Sequence, residues 1–185
     1  MSRPMGISMR LYLAPESDLG AFTVAPLTLM AWLRHPRSSR DVSLHEYWRG
    51  LDAILAGVPA SRSRSWLTPA GADYIYPGAA DHGAHSLSSG STKALLQVID
   101  QVTTGQVAAY VREQWEAAAA DGGHDPDLSP EQLSGAVEEL ELYFAPLRES
   151  CARGVEKGYG LVMALWNASH GVAHPAGAAI PHPKR

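Results

Sequence analysis

The chain has 185 residues, of which 45% are hydrophobic and 18% charged, and this composition excludes an intrinsically disordered protein. The formal net charge is −4 at pH 7 with a pI of about 6.0, so general nucleic-acid binding, which needs a basic patch, is not expected. The single cysteine, Cys151, cannot form an internal disulfide, which favours a reducing, cytoplasmic location. The longest largely apolar stretch, residues 20–33, is too short for a membrane span, so no membrane association is expected.

The N-terminal residues predict a strand followed by short helices. Apolar and polar side chains partly alternate over residues 7–14, which is the period of a strand, and Pro15 ends the pattern. Ser17 can cap a first helix, and Pro26 can start a further helical turn because proline is favoured at the first helical position.

The next segment predicts a helix and then a long loop. Ser43 and Glu46 have the spacing of a capping box, and apolar residues follow at helical intervals, so a helix is expected over residues 43–56. Gly57 stands where a left-handed residue ends a helix. Residues 58–90 are rich in Pro, Gly, Ser and Ala and predict an irregular loop.

Two further capping boxes begin the helices of the second half. Thr103 with Gln106 starts one helix, and Ser129 with Gln132 starts another, whose first position is a proline. Apolar residues at steps of three or four continue after each box. A pair of helices is therefore expected between residue 103 and the C-terminal strand.

The C-terminal part predicts a long helix, a buried strand and a tail. Pro146 lies inside the helical pattern, and since it cannot donate a backbone hydrogen bond, a kink or break is expected near Tyr143. Gly158 ends the helix, and residues 159–166 form a near-continuous apolar run typical of a strand buried on both faces. Residues 169–185 are expected to be a flexible tail.

Aromatic and histidine side chains in and near the 66–90 loop are candidate ligand-binding residues. Such a loop either covers the surface as an irregular segment or closes over a pocket for a small molecule or substrate. The sequence leaves both interpretations open. The candidates are Trp48, Trp66, Tyr74, Tyr76, His82 and His85.

Metal binding and covalent catalysis are not expected. Two groups of residues with metal-ligand chemistry, Asp81 with His82 and His85, and His124 with Asp125 and Asp127, lack the spacing of a complete site. Cys151 falls on the apolar face of its helix, where a thiol is a small buried hydrophobe and not a nucleophile. We therefore predict no cofactor, no metal and no catalytic residue.

Charge is distributed unevenly along the chain. Residues 113–149 contain ten acidic residues and one basic residue, Arg148. An acidic face attracts a basic partner protein through its field, or it only keeps the protein solvated. The candidate partner-binding residues on this face, expected to project largely into solvent, are Glu131, Glu138, Glu139 and Glu141.

Three stretches together resemble the YfbM-like bacterial family, a domain-of-unknown-function family. They are Met5–Gly6 before the first strand, the helical sequence of residues 44–57 containing Trp48, and residues 140–166 with their aromatic pair and final strand. The resemblance spans most of residues 5–168. Its motifs are helix-packing motifs, so it implies a fold and carries over no catalytic residue.

These observations predict one α+β domain over residues 5–168. Its sheet is small, mixed or antiparallel, and packed against about five helices. The strands at residues 7–14 and 159–166 are expected to pair directly or to share the sheet, since an isolated buried strand leaves its backbone groups unpaired. The preferred function is a non-enzymatic protein-binding module, and the alternative is a small-molecule-binding protein or enzyme with a pocket under the 66–90 loop. The sequence leaves the oligomeric state open.

Overall fold

A computed structural model describes residues 6–34, 42–120 and 127–167, and its architecture is α+β as predicted. The strands are β1 (Ile7–Pro15), β2 (Val42–His45), β3 (Tyr74–Tyr76), β4 (Ala84–Leu87) and β5 (Tyr159–Asn167). The described residues form six α-helices, namely α1 (Glu16–Val24), α2 (Pro26–Leu33), α3 (Trp48–Ala56), α4 (Ser89–Ile99), α5 (Thr104–Ala120) and α6 (Pro130–Lys157).

The strands form one antiparallel sheet in the order β2-β1-β5-β4-β3. The first and last strands pair directly over nine residues, from Ile7 opposite Asn167 to Pro15 opposite Tyr159. This pairing confirms the expectation that the two strongest strand signals lie in one sheet. The predicted tail at residues 169–185 lies outside the described residues.

Apolar side chains cover both faces of the sheet. On one face, Met9 and Leu11 of β1 and Met163 of β5 pack against α3 to α6 in the larger core. On the other face, Tyr12 and Val162 pack against α1, α2 and the β3–β4 segment. Because successive side chains of a strand point to opposite faces, the nearly unbroken apolar run of β5 serves both cores.

The predicted helix over residues 43–56 begins later than its capping signal indicates. Val42–His45 forms β2 on the outer edge of β1, and Leu44 is buried there as a strand residue. His45 has a positive φ of 47°, which turns the chain into α3 at Trp48. Gly57 has a φ of −75° and is not left-handed. The backbone hydrogen bonds between β2 and β1 extend over several residues. Together they stabilise the strand more than one side-chain cap would stabilise a helix beginning at Ser43.

The irregular loop predicted for residues 58–90 is also wrong in part. It contains the antiparallel hairpin of β3 and β4, and β4 pairs with β5. Both strands are short and contain none of the β-branched alternation that predicts a strand, apart from Ile75. The strand β5, with which β4 pairs, is more than seventy residues away, so local sequence does not reveal the hairpin.

The helix signals of the second half are confirmed, except for the break. Both capping boxes form their reciprocal hydrogen bonds, and Gly158 ends α6 with a φ of 66°. Pro146 nevertheless lies within a continuous helix. The carbonyl that it leaves without a donor belongs to Leu142, whose side chain is 66% exposed, so water can satisfy that carbonyl.

Truncation after Gly158 should unfold the protein. The deletion removes β5, which lies between β1 and β4 and pairs with both. This strand also contributes buried side chains to both cores. We expect loss of the cooperative thermal transition in circular dichroism. A chain that ends after Asn167 keeps the five strands of the described residues and should still melt cooperatively, and equal behaviour of the two truncations would contradict this assignment.

Gly160 is expected to tolerate no side chain. A Cβ atom at this position in β5 would overlap the Leu87 carbonyl oxygen and the Leu19 Cδ1 atom. Gly160→Ala should therefore lower the free energy of unfolding by about 1–3 kcal/mol or more, as measured by urea denaturation. Gly135→Ala on helix α6 is the control: a Cβ at this position meets no atom of the described residues within 4 Å, and alanine there should stabilise the protein by about 0.5–1 kcal/mol.

Candidate functional site

A cleft of about 410 Å³ lies between the start of α3 and the facing sides of α5 and α6. Its walls combine aromatic, small apolar and charged side chains. Helix α3 and the residues before it contribute Glu46, Tyr47, Arg49 and Gly50. Helix α5 contributes Tyr110, Val111, Gln114, Trp115 and Ala118, and α6 contributes Ala136, Glu139 and Leu140.

The cleft exists because α5 is only partly buried. Val107 and Val111 are its buried residues, and they anchor the first half of the helix in the larger core. Farther along, Ala118 of α5 and Ala136 of α6 leave space between the helices. Gly50 provides room at the other end, since a Cβ there would stand 3.1 Å from the Tyr110 phenol oxygen.

Tyr47 and Glu139 form the polar contact across the cleft. The Tyr47 hydroxyl donates a hydrogen bond to Glu139 Oε1, and the Tyr47 ring stacks on Tyr143 with centroids 4.4 Å apart. Burial, followed by the hydrogen bond and charge of Glu139, raises the pKa of Tyr47 above its ordinary value. The phenol therefore keeps its proton at neutral pH and acts as a hydrogen-bond donor, not as a nucleophile.

Negative charges outnumber positive charges in the walls of the cleft. Glu46 and Glu139 contribute carboxylates, and Arg49 contributes one guanidinium, which lies 5.1 Å from the centroid of the Trp48 ring. The negative charge of Glu46 and Glu139 also raises the pKa of Tyr143, after the larger effect of burial. The lining as a whole can hold a cation against aromatic surface.

None of the six predicted ligand-binding residues lines this cleft. Trp48 and Trp66 are buried in the larger core, where the Trp48 indole donates to the Ile7 carbonyl over 3.2 Å. Tyr76 is buried on the opposite face of the sheet. Tyr74 is 40% exposed on the edge strand β3.

The two histidines among these candidates also lie apart. His82 is exposed and contacts the Asn167 side-chain oxygen over 2.6 Å. His85 is fully buried on β4, opposite Met163. The structure therefore divides the six residues among two core faces and two exposed positions, instead of gathering them around one ligand.

Asp52 is an important residue that sequence reasoning passed over. Its carboxylate is buried on α3 and accepts hydrogen bonds of 2.6 Å each from the backbone of Trp66 and Leu67 and from the Ser65 hydroxyl. Three donors compensate a buried carboxylate. Asp52 thus fixes residues 65–67, which follow the 3₁₀ turn at Pro59–Ser61. Its only sequence signal is a carboxylate on the apolar side of a predicted helix.

His85 belongs to the same buried neighbourhood. Its Nε2 atom lies 3.0 Å from the Leu67 carbonyl oxygen. Since a carbonyl only accepts, Nε2 carries the proton in the neutral ring, and the buried Nδ1 has no hydrogen-bond partner among the described residues. Burial lowers the pKa of His85 from 6.5 to about 4, against the smaller opposing effects of the Leu67 carbonyl and Asp52.

The loop side chains that could ligate a metal form contacts within the protein instead. Asp81 accepts a 2.9 Å hydrogen bond from the backbone nitrogen of Asn167, the residue that His82 also contacts. His85 faces the core instead. In the second group, His124 and Asp125 lie outside the described residues. Over the described ranges, His, Cys, Asp and Glu side chains do not gather in a group of three that could hold a metal ion.

The acidic residues of α6 do not form one solvent-facing set. Glu131 and Glu138 are exposed as expected, but Glu139 and Glu141 are half-buried. Glu139 accepts from Tyr47, and Glu141 accepts from the Thr104 hydroxyl over 2.7 Å. Both carboxylates lie on the side of α6 that faces α3 and α5. Helical spacing alone could not reveal this orientation, because it does not determine where the neighbouring helices pack.

Cys151 is buried in the larger core, as its helical position predicts. Burial raises the pKa of its thiol to about 12. The reactive thiolate is therefore not formed near neutral pH, and the side chain packs as a small hydrophobe.

The solved structure of YfbM from Escherichia coli, a protein of unknown function, is similar to this structure with a TM-score of 0.58. The similarity covers 85% of this chain and 99% of the other, at 12% sequence identity. This chain has the YfbM-like fold. The fold confirms what the resemblance in sequence implies, and at this identity it carries no activity.

No family model and no curated protein matches the sequence. The YfbM-like fold therefore assigns no function by itself, and the side chains of this chain are the basis on which a function can be proposed. Among the described residues, none of the helices is both long enough and apolar enough to cross a membrane.

His85 should make stability depend on pH. Its pKa is lowered from 6.5 to about 4 in the folded protein, so the unfolded chain binds more protons between these values. This contribution to stability is complete above about pH 6.5 and is lost as the pH falls toward 4, by about 3 kcal/mol at most. Urea denaturation at several pH values should detect this slope in the wild type.

His85→Gln is the matched variant, because the amide can still donate to the Leu67 carbonyl but does not titrate. Its free energy of unfolding should be lower at pH 7 and should change much less between pH 6.5 and 4.5. An unchanged slope in this variant would assign the pH dependence to another group.

Proposed function

We propose that this protein is a non-enzymatic binding module whose cleft between α3, α5 and α6 receives a basic segment of a partner protein. The observation that carries the proposal is the position of Glu139, a half-buried carboxylate in the wall of an aromatic-lined cleft. A carboxylate in such a setting is less screened by salt than one on a flat surface, and its interaction with a cation is correspondingly stronger.

The shape and lining of the cleft support a side chain as the bound group. A volume of about 410 Å³ accommodates a long side chain and part of its backbone. Tyr110 and Trp115 offer aromatic surface to an aliphatic stem or a cation. The residues on the walls supply hydrogen-bond donors and acceptors but no thiolate, since Cys151 is buried elsewhere.

The acidic residues outside the cleft fit the same proposal, because their electrostatic field would attract a basic partner toward the cleft. Glu131 and Glu138 are exposed on α6, the helix that carries Glu139. Exposed carboxylates accelerate the encounter with a basic partner but contribute little to the affinity of the final complex. We propose this role for them within a cytoplasmic protein that has neither a cofactor nor a nucleic-acid partner.

A labelled peptide of alternating arginine, lysine and alanine tests the proposal by fluorescence anisotropy. Glu139→Gln should weaken binding by about tenfold or more, because a charge-assisted contact in the cleft is lost. Glu138→Gln removes the same charge from the next residue on the exposed side and should change the affinity little. Binding of the wild type should also weaken as salt is raised.

Arg49→Gln gives a change of opposite sign. It removes a positive charge from the cleft wall, so the basic peptide should bind more tightly, and an acidic peptide of the same length should not bind to either protein. If the basic peptide does not bind the wild type, or if Glu138→Gln and Glu139→Gln have equal effects, the cleft is not the binding site.

A further inference from the structure

We infer that the side chain received by the cleft is an arginine, in preference to a lysine. This inference rests on the proposed function and specifies the chemistry of the partner. It depends on how Glu139 is already engaged, on the surfaces around it, and on the difference in shape between the two cationic side chains.

One oxygen of Glu139 is occupied and the other is open to a ligand. Oε1 accepts from the Tyr47 hydroxyl, whereas no described residue donates to Oε2. An incoming cation therefore meets a single carboxylate oxygen. A guanidinium has five N–H donors in a rigid plane, so one edge can reach Oε2 while another donor reaches a second acceptor.

Gln114 provides such a second acceptor on the opposite wall. It lies on α5 and lines the same cleft as Glu139, and its side-chain amide can turn its oxygen toward a donor. An ammonium group has a compact charge and keeps its water more strongly, so it benefits less from two acceptors on separate helices.

The aromatic walls also favour a planar cation. Tyr110 and Trp115 line the cleft from α5. Guanidinium groups stack on aromatic faces more readily than ammonium groups do, and they are less costly to remove from water. The protein uses this contact in its own structure, where Arg64 lies 4.4 Å from the centroid of the Trp66 ring.

Three acetylated pentapeptides that differ only at the central residue test the inference by ¹H–¹⁵N NMR titration of the full chain. The central residue is arginine, lysine or citrulline, the last being a neutral side chain of nearly the same shape as arginine. We expect the arginine peptide to bind about tenfold tighter than the lysine peptide and to shift the amide signals of α5 and α6. The citrulline peptide should bind at least as weakly as the lysine peptide.

Tyr47→Phe tests the role assigned to Glu139. The variant frees Oε1, so a guanidinium can then contact both carboxylate oxygens, and arginine affinity should rise about fivefold with little change for lysine. Tyr143→Phe is the control, since it alters the ring stacked on Tyr47 and leaves the Tyr47 hydroxyl in place. Thermal denaturation of each variant verifies that it is folded.

Each outcome bears on a different statement. A preference for arginine that increases in Tyr47→Phe and not in Tyr143→Phe supports the inference. Equal or tighter lysine binding overturns the arginine preference but leaves the basic-partner proposal standing. Binding of citrulline equal to arginine, or an arginine preference unaffected by Tyr47→Phe, overturns the assignment to Glu139. If neither cationic peptide binds, and the longer basic peptide does not bind either, the proposed function itself fails.

Discussion

The antiparallel pairing of β1 with β5 is the interaction on which the rest of the structure depends. It joins the first and last described elements over nine residues and places two apolar strands at the centre of the sheet. Strand β2 lies beside β1 on one side of this pair, and β4 and β3 follow β5 on the other side. Because both faces of these strands are apolar, both must be covered, and the helices divide into two layers for that reason.

The same pairing determines where the cleft lies. Helix α6 leads directly into β5 through Gly158, so its direction follows from that of the central strand. Residues near its end, such as Leu147 and Cys151, are buried against the sheet, whereas the first half extends toward α5 and the start of α3. The cleft forms there because small side chains leave the outer parts of α5 and α6 apart.

Polar groups have different roles on the two sides of α3. Asp52 is buried and satisfied by three donors, so its charge serves the fold. Glu139, which faces the start of the same helix, has one oxygen engaged and the other available. A carboxylate whose two oxygens both accept hydrogen bonds from the fold is a structural element, whereas one with an unengaged oxygen beside aromatic surface can bind a ligand. This contrast leads us to place function in the cleft.

The sequence by itself determined the elements with strong local signals. Reciprocal caps at Thr103 and Ser129, the left-handed Gly158 and the apolar run of β5 each predict their structure, because short-range hydrogen bonds and burial decide them. That the terminal strands pair or share one sheet was predictable from their two strand signals, and the YfbM-like fold was implied by the resemblance of residues 5–6, 44–57 and 140–166 to that family.

Only the tertiary structure decided the features that depend on distant partners. Pairing with β1 made a strand of Val42–His45 despite the cap at Ser43, and pairing with β5 produced the β3–β4 hairpin within an unpatterned loop. The candidate site has the same origin. Tyr47 and Glu139 are 92 residues apart, and helical spacing assigns Glu139 to a solvated face. Contact between the two residues requires α3, α5 and α6 to be placed relative to one another, and the burial of their apolar sides in the larger core is what places them.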